Sequence, residues 1–307
     1  MKLRNRNGTL GIAIKLVIAL FTCVYIYMHF SKHRTQMGTI TEISDAIRSD
    51  LPLFFVVLLL MPVNWMLESF KWKLLASRVQ PISFFRAMSG VVAGVTIGTA
   101  TPNRIGEFAG RIYSVDSDRK KDLLLVSFIA SFCQVFVTAL APVLFVLLDH
   151  HGTGREEVFW IFVIMAFFLV CALPFFIGKM PGFVRKYAAV LNDFPRVTFM
   201  KILLLSMLRY SVYLMQFYLL MKIVIPELGM FNTLEHISFA YLVITIIPTF
   251  SIAEVLVRGS VAGFCFGDFH PGEIAFYIAA LLWTINVAVP SVIGIYFLFR
   301  LKFFRKE

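Results

Sequence analysis

Charged residues are scarce in this sequence. Only 15% of its 307 residues are Asp, Glu, Lys or Arg, whereas 59% are hydrophobic. A soluble domain of this size has no use for so much apolar surface, so the composition excludes that class and is typical of a polytopic membrane protein. We therefore predict an all-α polytopic membrane protein in which residues 1–307 form a single integral membrane domain.

Cysteine is also scarce, and no CxxC pair is present. The four cysteines stand singly in apolar segments, at Cys23, Cys133, Cys171 and Cys265. This pattern indicates small packed hydrophobes and not a metal or redox centre. No Walker motif occurs either, so the energy for any transport would have to come from outside the chain. We predict neither a metal site nor a cofactor.

Acidic residues are outnumbered by basic ones. The chain has 18 Asp and Glu against 29 Lys and Arg, a formal net charge of +11. Basic loops beside membrane helices normally meet anionic lipid headgroups. No soluble basic domain is present to offer a patch for nucleic acid, so we expect membrane lipids as partners and no nucleic acid.

Long apolar runs dominate the sequence. Hydropathy predicts six membrane spans, at residues 10–30, 51–70, 122–148, 157–178, 199–224 and 274–299. The first run is too long for the apolar region of a signal peptide and lacks a small-x-small cleavage site, so it is predicted to be a retained anchor. Two further apolar stretches, 84–116 and 234–266, are each interrupted near the middle by proline and then by charge.

Basic residues concentrate in particular loops. They occur at the N-terminus, in 71–86, 119–121 and 179–201, and in the C-terminal tail. In the loops 149–157 and 225–236, by contrast, most of the charged residues are acidic. The positive-inside rule places the basic loops in the cytoplasm and the acidic loops outside. We predict a multi-pass protein of the plasma (inner) membrane with both termini in the cytoplasm.

The two interrupted stretches are predicted to be re-entrant hairpins. Both flanks of 84–116 are predicted to be cytoplasmic, and both flanks of 234–266 external, so the hairpins enter from opposite sides. With about three spans beside each, this gives an inverted repeat with halves 1–148 and 157–300. A plain transmembrane crossing at 237–257 is the alternative for the second stretch.

The two breaks share a residue pattern. "TPNRIGEFAGR" (101–111) and "IPTFSIAEVLVRG" (247–259) each have a proline, then a glutamate five or six residues later, then an arginine four further on. The corresponding residues are Pro102, Glu107 and Arg111 in the first break and Pro248, Glu254 and Arg258 in the second. On a helix, side chains at i and i+4 share a face, so each Glu–Arg pair can neutralise itself.

Each proline is predicted to end one half-helix, with the next half-helix starting a few residues later. The exposed N–H groups of the second half-helix then suit an anion, and a lipid phosphate is the anion most available in a membrane. The alternative is that the Glu–Arg pairs only hold the hairpins in place as intramembrane staples.

Several other polar residues fall within predicted spans. Arg209 lies near the middle of the fifth span and is predicted to face the bundle interior, with Glu107, Glu254 or a phosphate as its partner. Glu68 and Lys71 are predicted to pair at the membrane interface. The remaining expectations are interhelical hydrogen bonds for Asn64, Gln134, Gln216 and Asn286, and interface anchoring for Trp65 and Trp72.

The stretches "NWMLESFKWKLLAS" (64–77), the glycine run at Gly90, Gly94 and Gly98, and "TPNRIGEFAGR" resemble a known family. This is the flippase-like transmembrane domain of the lysylphosphatidylglycerol synthases, which also includes stand-alone members and archaeal relatives linked to dolichol-phosphate sugars. The resemblance covers nearly the whole chain. By position, Thr101, Pro102, Arg104, Gly106, Glu107 and Arg111 match the first motif of the family, and Pro248 and Glu254 match the second.

The resemblance implies that the protein moves a phospholipid or a polyprenyl-phosphate-linked lipid across the bilayer. The soluble aminoacyl-transfer domain of the full-length synthases is absent from this chain, so we do not expect a lysyl-lipid synthase. The predicted substrate-binding residues are Thr101, Arg104, Glu107, Arg111, Arg209, Glu254 and Arg258, with Pro102, Gly106 and Pro248 shaping the motifs.

Two other functions fit the residues. One is a membrane-embedded transferase acting on a lipid-linked phosphate, with Glu107 as a general base. The other is a non-catalytic membrane subunit that anchors a partner lipid-modifying enzyme. For the transporter and the transferase the expected ligand is a lipid with an anionic headgroup or phosphate. For the anchoring subunit the charged breaks are staples, and lipids are only incidental.

Overall fold

A computed structural model describes residues 36–148 and 195–300, apart from positions 248, 250, 268 and 269. Every regular element in these residues is helical. The α-helices are α1 (Gln36–Ser49), α2 (Leu51–Ala76), α3 (Phe84–Thr99), α4 (Gly106–Tyr113), α5 (Lys120–Leu148), α6 (Arg196–Val224), α7 (Met230–Ile246), α8 (Ser251–Phe266), α9 (His270–Trp283) and α10 (Val289–Arg300). A 3₁₀ turn, Pro102–Arg104, precedes α4, and a π-helical turn, Thr284–Ala288, joins α9 to α10.

In the described residues, four helices are long and apolar enough to cross a membrane. They are Leu51–Ala76, Lys120–Val146, Arg196–Val224 and Pro271–Arg300. These helices coincide with four of the six predicted spans, which are thereby confirmed as apolar helices of spanning length. The predicted spans 10–30 and 157–178 lie outside the described residues, as does Pro248.

Local sequence explains where α2 and α3 begin. The carboxylate of Asp50 accepts a hydrogen bond from the backbone N–H of Leu53, and a proline lies in the first turn of α2. The hydroxyl of Ser83 does the same for the N–H of Arg86 at the start of α3. Both are side-chain caps that satisfy N–H groups left without a partner at a helix N-terminus.

The first predicted break is present. Helix α3 ends at Thr99, and α4 runs back along it after the turn. Asn103 and Arg104 adopt left-handed backbone angles, with φ of 50° and 55°. The Thr101 hydroxyl closes the turn, since it accepts a hydrogen bond from the N–H of Gly106 at 2.8 Å and donates to the carbonyls that end α3. Such a backbone is uncommon for non-glycine residues and is held here by the contacts around it.

Glycines allow α3 and α4 to touch through their backbones. A Cβ added to Gly94 would lie 2.7 Å from the carbonyl oxygen of Glu107, and one added to Gly110 would collide with the backbone of Gly94. The four-residue spacing of Gly90, Gly94 and Gly98 therefore allows two helices to approach closely, as small residues commonly do in membrane proteins.

Replacing Gly110 with alanine is expected to lower the stability of the protein by about 2 kcal/mol or more, because two backbones must separate to admit the methyl group. Gly38→Ala is the matched control, since a Cβ there meets nothing within 4 Å. Thermal unfolding of the two purified variants in detergent measures the difference. Equal melting temperatures for Gly110→Ala and the wild type would contradict the contact.

The second predicted break is also present, between the end of α7 at Ile246 and the start of α8 at Ser251. Here the close glycine contacts lie between α8 and the next helix, α9. A Cβ on Gly263 would lie 3.1 Å from the carbonyl oxygen of Gly272, and one on Gly259 would lie 2.8 Å from the ring of Phe276. The two breaks therefore share a residue pattern but differ in packing. The helix after the first break, α4, packs closely on the helix before it, α3, whereas the helix after the second break, α8, packs closely on the next helix, α9.

The tryptophans of α2 do not anchor the protein at an interface as predicted. The side chains of Trp65 and Trp72 are 5% and 1% exposed. Trp72 packs in a core formed by α2, α3 and α5, and the indole N–H of Trp65 donates to the carbonyl of Asn286 in the π-helical turn. Both rings are buried because α3, α5 and the α9–α10 junction cover this face of α2.

Candidate functional site

Eight charged side chains lie inside the helical bundle and form a continuous series of ion pairs, which we call the ion-pair chain. Its members are Glu68 and Lys71 on α2, Arg104 in the 3₁₀ turn, Glu107 and Arg111 on α4, Arg209 on α6, and Glu254 and Arg258 on α8. Ionisable residues inside a membrane bundle are costly and are usually functional.

Glu68 contacts three cations at one end of the ion-pair chain. Its Oε2 lies 2.8 Å from Lys71 Nζ and 2.9 Å from Arg209 Nη1, and its Oε1 lies 3.1 Å from Arg111 Nη2. The predicted pairing of Glu68 with Lys71 is confirmed, but the side chains are 2% and 1% exposed, so the pair lies inside the bundle and not on its surface. Three partners are what make a buried carboxylate tolerable, since a single charge of this kind costs several kcal/mol to desolvate.

The predicted Glu–Arg pairs both form. Arg111 Nη2 lies 3.1 Å from Glu107 Oε2, and Arg258 Nη2 lies 2.8 Å from Glu254 Oε1. Each pair occupies positions i and i+4 of one helix, so the prediction that these side chains share a face is confirmed.

Arg104 connects the two Glu–Arg pairs. Its Nε lies 2.6 Å from Glu107 Oε1, and its Nη1 lies 3.6 Å from Glu254 Oε1. The contact between Arg104 and Glu254 is the longest in the ion-pair chain, and it joins residues that are 150 positions apart in the sequence. The glutamates of the two breaks therefore share one arginine.

The backbones of the two breaks also meet, at what we call the tip contact between Asn103 and Thr249. The N–H of Asn103 donates to the carbonyl oxygen of Thr249, and the N–H of Thr249 donates to Oδ1 of Asn103, both at 2.9 Å. The left-handed conformation of Asn103 allows its backbone and its side chain to face the same residue.

Arg209 faces the interior, as predicted. Besides Glu68, its Nε donates to Oδ1 of Asn64 at 2.9 Å, and its guanidinium lies over the rings of Trp65 and Tyr213 at 5.3 and 5.8 Å. The acid that it contacts is Glu68, in place of the expected Glu107 or Glu254. Aromatic faces favour a desolvated guanidinium through their quadrupole.

Buried amides extend from Arg209 across the bundle. Asn64 Nδ2 donates to Asn286 Oδ1 at 3.2 Å, Asn286 Nδ2 donates to Gln216 Oε1 at 3.1 Å, and Gln216 Nε2 donates to the carbonyl of Val57 at 3.0 Å. Lys71 Nζ also donates to Gln134 Oε1 at 3.3 Å. The predicted interhelical hydrogen bonds of these four amide side chains are confirmed.

The ion-pair chain carries more positive than negative charge. Five cations face three carboxylates, an excess of two positive charges. Among the described residues, Nη2 of Arg104 and Nε of Arg111 are buried and donate to no acceptor. Buried donors without a partner cost free energy, so the site is suited to an added anion that accepts from them.

Other residues of the predicted site shape the break. Pro102 starts the 3₁₀ turn. A Cβ on Gly106 would lie 2.5 Å from the carbonyl oxygen of Ile97, so the glycine permits the return of the chain. The Thr101 hydroxyl is already hydrogen-bonded to the backbone of the turn. The predicted contact of this hydroxyl with a substrate stays a prediction.

Sequence reasoning missed the part that Glu68 and Lys71 play in this site. The available signal was two ionisable residues one turn apart in a long apolar helix. In the part of the chain that the structure describes, no group of three or more His, Cys, Asp or Glu is placed to hold a metal ion.

Comparison with known proteins identifies a family. The family model described as "Lysylphosphatidylglycerol synthase TM region" matches residues 10–294 of the chain. No curated protein and no solved structure matches it. The matched range includes all eight residues of the ion-pair chain.

Proposed function

The chain belongs to the lysylphosphatidylglycerol synthase TM region family, and from that premise we propose that it is a flippase-like lipid transporter. The family and the apolar helices make it an integral membrane protein related to lipid modification or transport. The substrate that we propose is a phospholipid or a polyprenyl-phosphate-linked lipid, bound through its phosphate.

The observation that carries the proposal is the excess positive charge of the ion-pair chain, together with the unused donors of Arg104 and Arg111. A phosphate accepts hydrogen bonds from several guanidinium N–H groups at once and compensates surplus positive charge. Inside an apolar bundle the phosphate available is that of a lipid whose chains remain in the surrounding bilayer.

We propose six spans and two re-entrant hairpins that enter from opposite sides of the membrane, the first over 84–116 and the second over 234–266. The contact between Asn103 and Thr249 supports this arrangement, because hairpins entering from opposite sides would meet at their breaks. In inverted-repeat transporters the substrate binds near the midplane, where broken helices from the two repeats face each other.

Movement of the lipid would follow from competition for Arg104. This arginine binds a glutamate from each break, and a phosphate that takes over its Nη groups would replace Glu254, the more distant of the two. Binding would then favour a state in which the breaks separate, because a ligand shifts an equilibrium toward the state that it binds better. Glu107 and Glu254 would hold the arginines in place while no lipid is bound.

Reconstituted vesicles test this proposal. Glu107→Gln and Arg209→Ala are expected to reduce the rate at which a labelled anionic phospholipid crosses the bilayer by about 10-fold to 100-fold, the cost of losing a hydrogen bond to a charged group. Size-exclusion profiles of the purified variants check that they remain folded.

Asp122→Asn is the matched control for Glu107→Gln. Both acids pair with an arginine three residues earlier at 2.6 Å, but Arg119 is 58% exposed whereas Arg104 is 19% exposed. Wild-type rates in both Glu107→Gln and Arg209→Ala would remove the transporter proposal. Inactivity of the purified wild type until a partner enzyme is added would favour the anchoring subunit, and conversion of the lipid into a new product would favour the transferase.

A further inference from the structure

A groove runs along the outside of α2 and α6, away from the ion-pair chain. It encloses about 450 Å³, which is within the usual range of ligand sites. Its described lining residues are Phe70, Lys73, Leu74, Ser77, Lys201, Leu204 and Leu205. This lining combines an apolar surface with two lysines and includes no acid.

The lining follows the helical repeat of both helices. On α2 it uses positions 70, 73, 74 and 77, and on α6 positions 201, 204 and 205, so each set lies on one helix face. The facing inner sides of the same helices bring Lys71 Nζ within 3.4 Å of Ser206 Oγ. The groove therefore lies on the outer side of the contact between α2 and α6, and Lys71 of the ion-pair chain lies on the inner side of the same contact.

Contacts with the residues that the structure describes do not explain the two lysines. Neither forms an ion pair with a described residue. Lys73 lies in the last turn of α2, where a cation is favoured by the helix dipole, but Lys201 is the sixth residue of α6 and gains no such stabilisation. A ligand of opposite charge would account for both lysines.

We propose that this groove binds an anionic phospholipid. The phosphate lies at Lys73 and Lys201, and an acyl chain packs along Phe70, Leu74 and Leu204. A surface of leucine and phenylalanine inside the membrane is matched by hydrocarbon, and lysines at its end attract an anionic headgroup. The lipid occupies a site separate from the one proposed for transport, so the inference does not depend on transport.

Native mass spectrometry of the purified protein tests the proposal, with phosphatidylglycerol and phosphatidylcholine of identical acyl chains as the probes. The wild type is expected to bind the first phosphatidylglycerol more tightly than the first phosphatidylcholine. In the Lys73→Gln/Lys201→Gln variant, affinity for phosphatidylglycerol is expected to fall by about fivefold for each lysine. Affinity for phosphatidylcholine is expected to fall less, because its choline cation offsets the charge of its phosphate.

Lys121→Gln/Arg300→Gln is the matched control, because it removes the same charge from two exposed positions outside the groove. It is expected to keep the wild-type preference. A wild type that does not distinguish the two lipids overturns the proposal, and so does an equal loss of phosphatidylglycerol binding in the groove variant and the control.

Leu204→Trp tests the acyl-chain part of the groove. Leu204 is 56% exposed, so a larger side chain fills the groove without disturbing the core. Binding of the first lipid is expected to weaken for both headgroups. Unchanged lipid binding in Leu204→Trp overturns the proposal. A change in oligomeric state in the same spectra also overturns it, because a second copy of the chain would then be the occupant of the groove.

Discussion

A disulfide between Asn103→Cys and Thr249→Cys is expected to stop lipid movement completely and reversibly. The two residues are joined by two hydrogen bonds of 2.9 Å and lie in different halves of the chain. A covalent bond there would prevent the breaks from separating, and the proposed transport requires that separation. Two hydrogen bonds can open at little cost, about 1 kcal/mol each, whereas a disulfide cannot.

The measurement requires a background without the four native cysteines. In that background, oxidation of the double variant in vesicles is expected to abolish transport of the labelled phospholipid, and reduction to restore the starting rate. Each single cysteine variant should transport lipid under both conditions.

A second cysteine pair controls for cross-linking itself. The rings of Phe70 and Phe84 lie 4.3 Å apart, and both residues belong to the first half of the chain. Mass spectrometry checks that oxidation cross-links Phe70→Cys/Phe84→Cys, and this cross-link within one half is expected to leave transport running. Full transport by the oxidised Asn103→Cys/Thr249→Cys protein would show that the tip contact does not open, and the proposed movement would be wrong.

Replacing Glu68 with glutamine is expected to lower the stability of the protein by about 3–5 kcal/mol, the usual cost of removing one partner from a buried ion pair. Lys71, Arg111 and Arg209 would then face one another with only a neutral amide between them. Most of the protein should appear as aggregate in size-exclusion chromatography. Glu107→Gln should be milder, because Glu107 is 20% exposed whereas Glu68 is 2% exposed.

A second substitution separates charge from shape. In Glu68→Gln/Lys71→Met, one cation is removed together with the carboxylate, so the net charge of the cluster returns to its original value. This variant is expected to recover part of the lost melting temperature, because fewer like charges remain buried together. A double variant less stable than Glu68→Gln alone, or a single variant as stable as the wild type, would contradict the role of Glu68 as the common counter-charge.

The helices of spanning length and the two breaks could be predicted because their signals are local. An apolar run of about 20 residues predicts a spanning helix wherever it occurs, and Pro102 followed by Glu107 and Arg111 marks an interruption within a few residues. The i, i+4 geometry of Glu254 and Arg258 follows from the helix itself. These features needed no knowledge of which helices are neighbours.

The burial of α2 could not be predicted in the same way. Trp65 and Trp72 have the sequence positions of interface anchors, and Glu68 with Lys71 has the spacing of a pair at a helix end. All four are buried because other helices cover this part of α2. Hydropathy describes each helix alone, whereas burial depends on the elements packed beside it.

The sequence by itself therefore determined that this is a helical membrane protein with charges placed at two breaks. Only the tertiary structure decided which distant residues meet: that Glu68 binds Arg111 and Arg209, that Arg104 joins Glu107 to Glu254, and that Asn103 forms hydrogen bonds with Thr249. The physical reason is range. Helix formation and hydropathy depend on neighbours within a few residues. The contacts of Glu68 with Arg209, of Arg104 with Glu254 and of Asn103 with Thr249 join segments far apart in the chain, and they form where packing brings partners together in a medium of low dielectric.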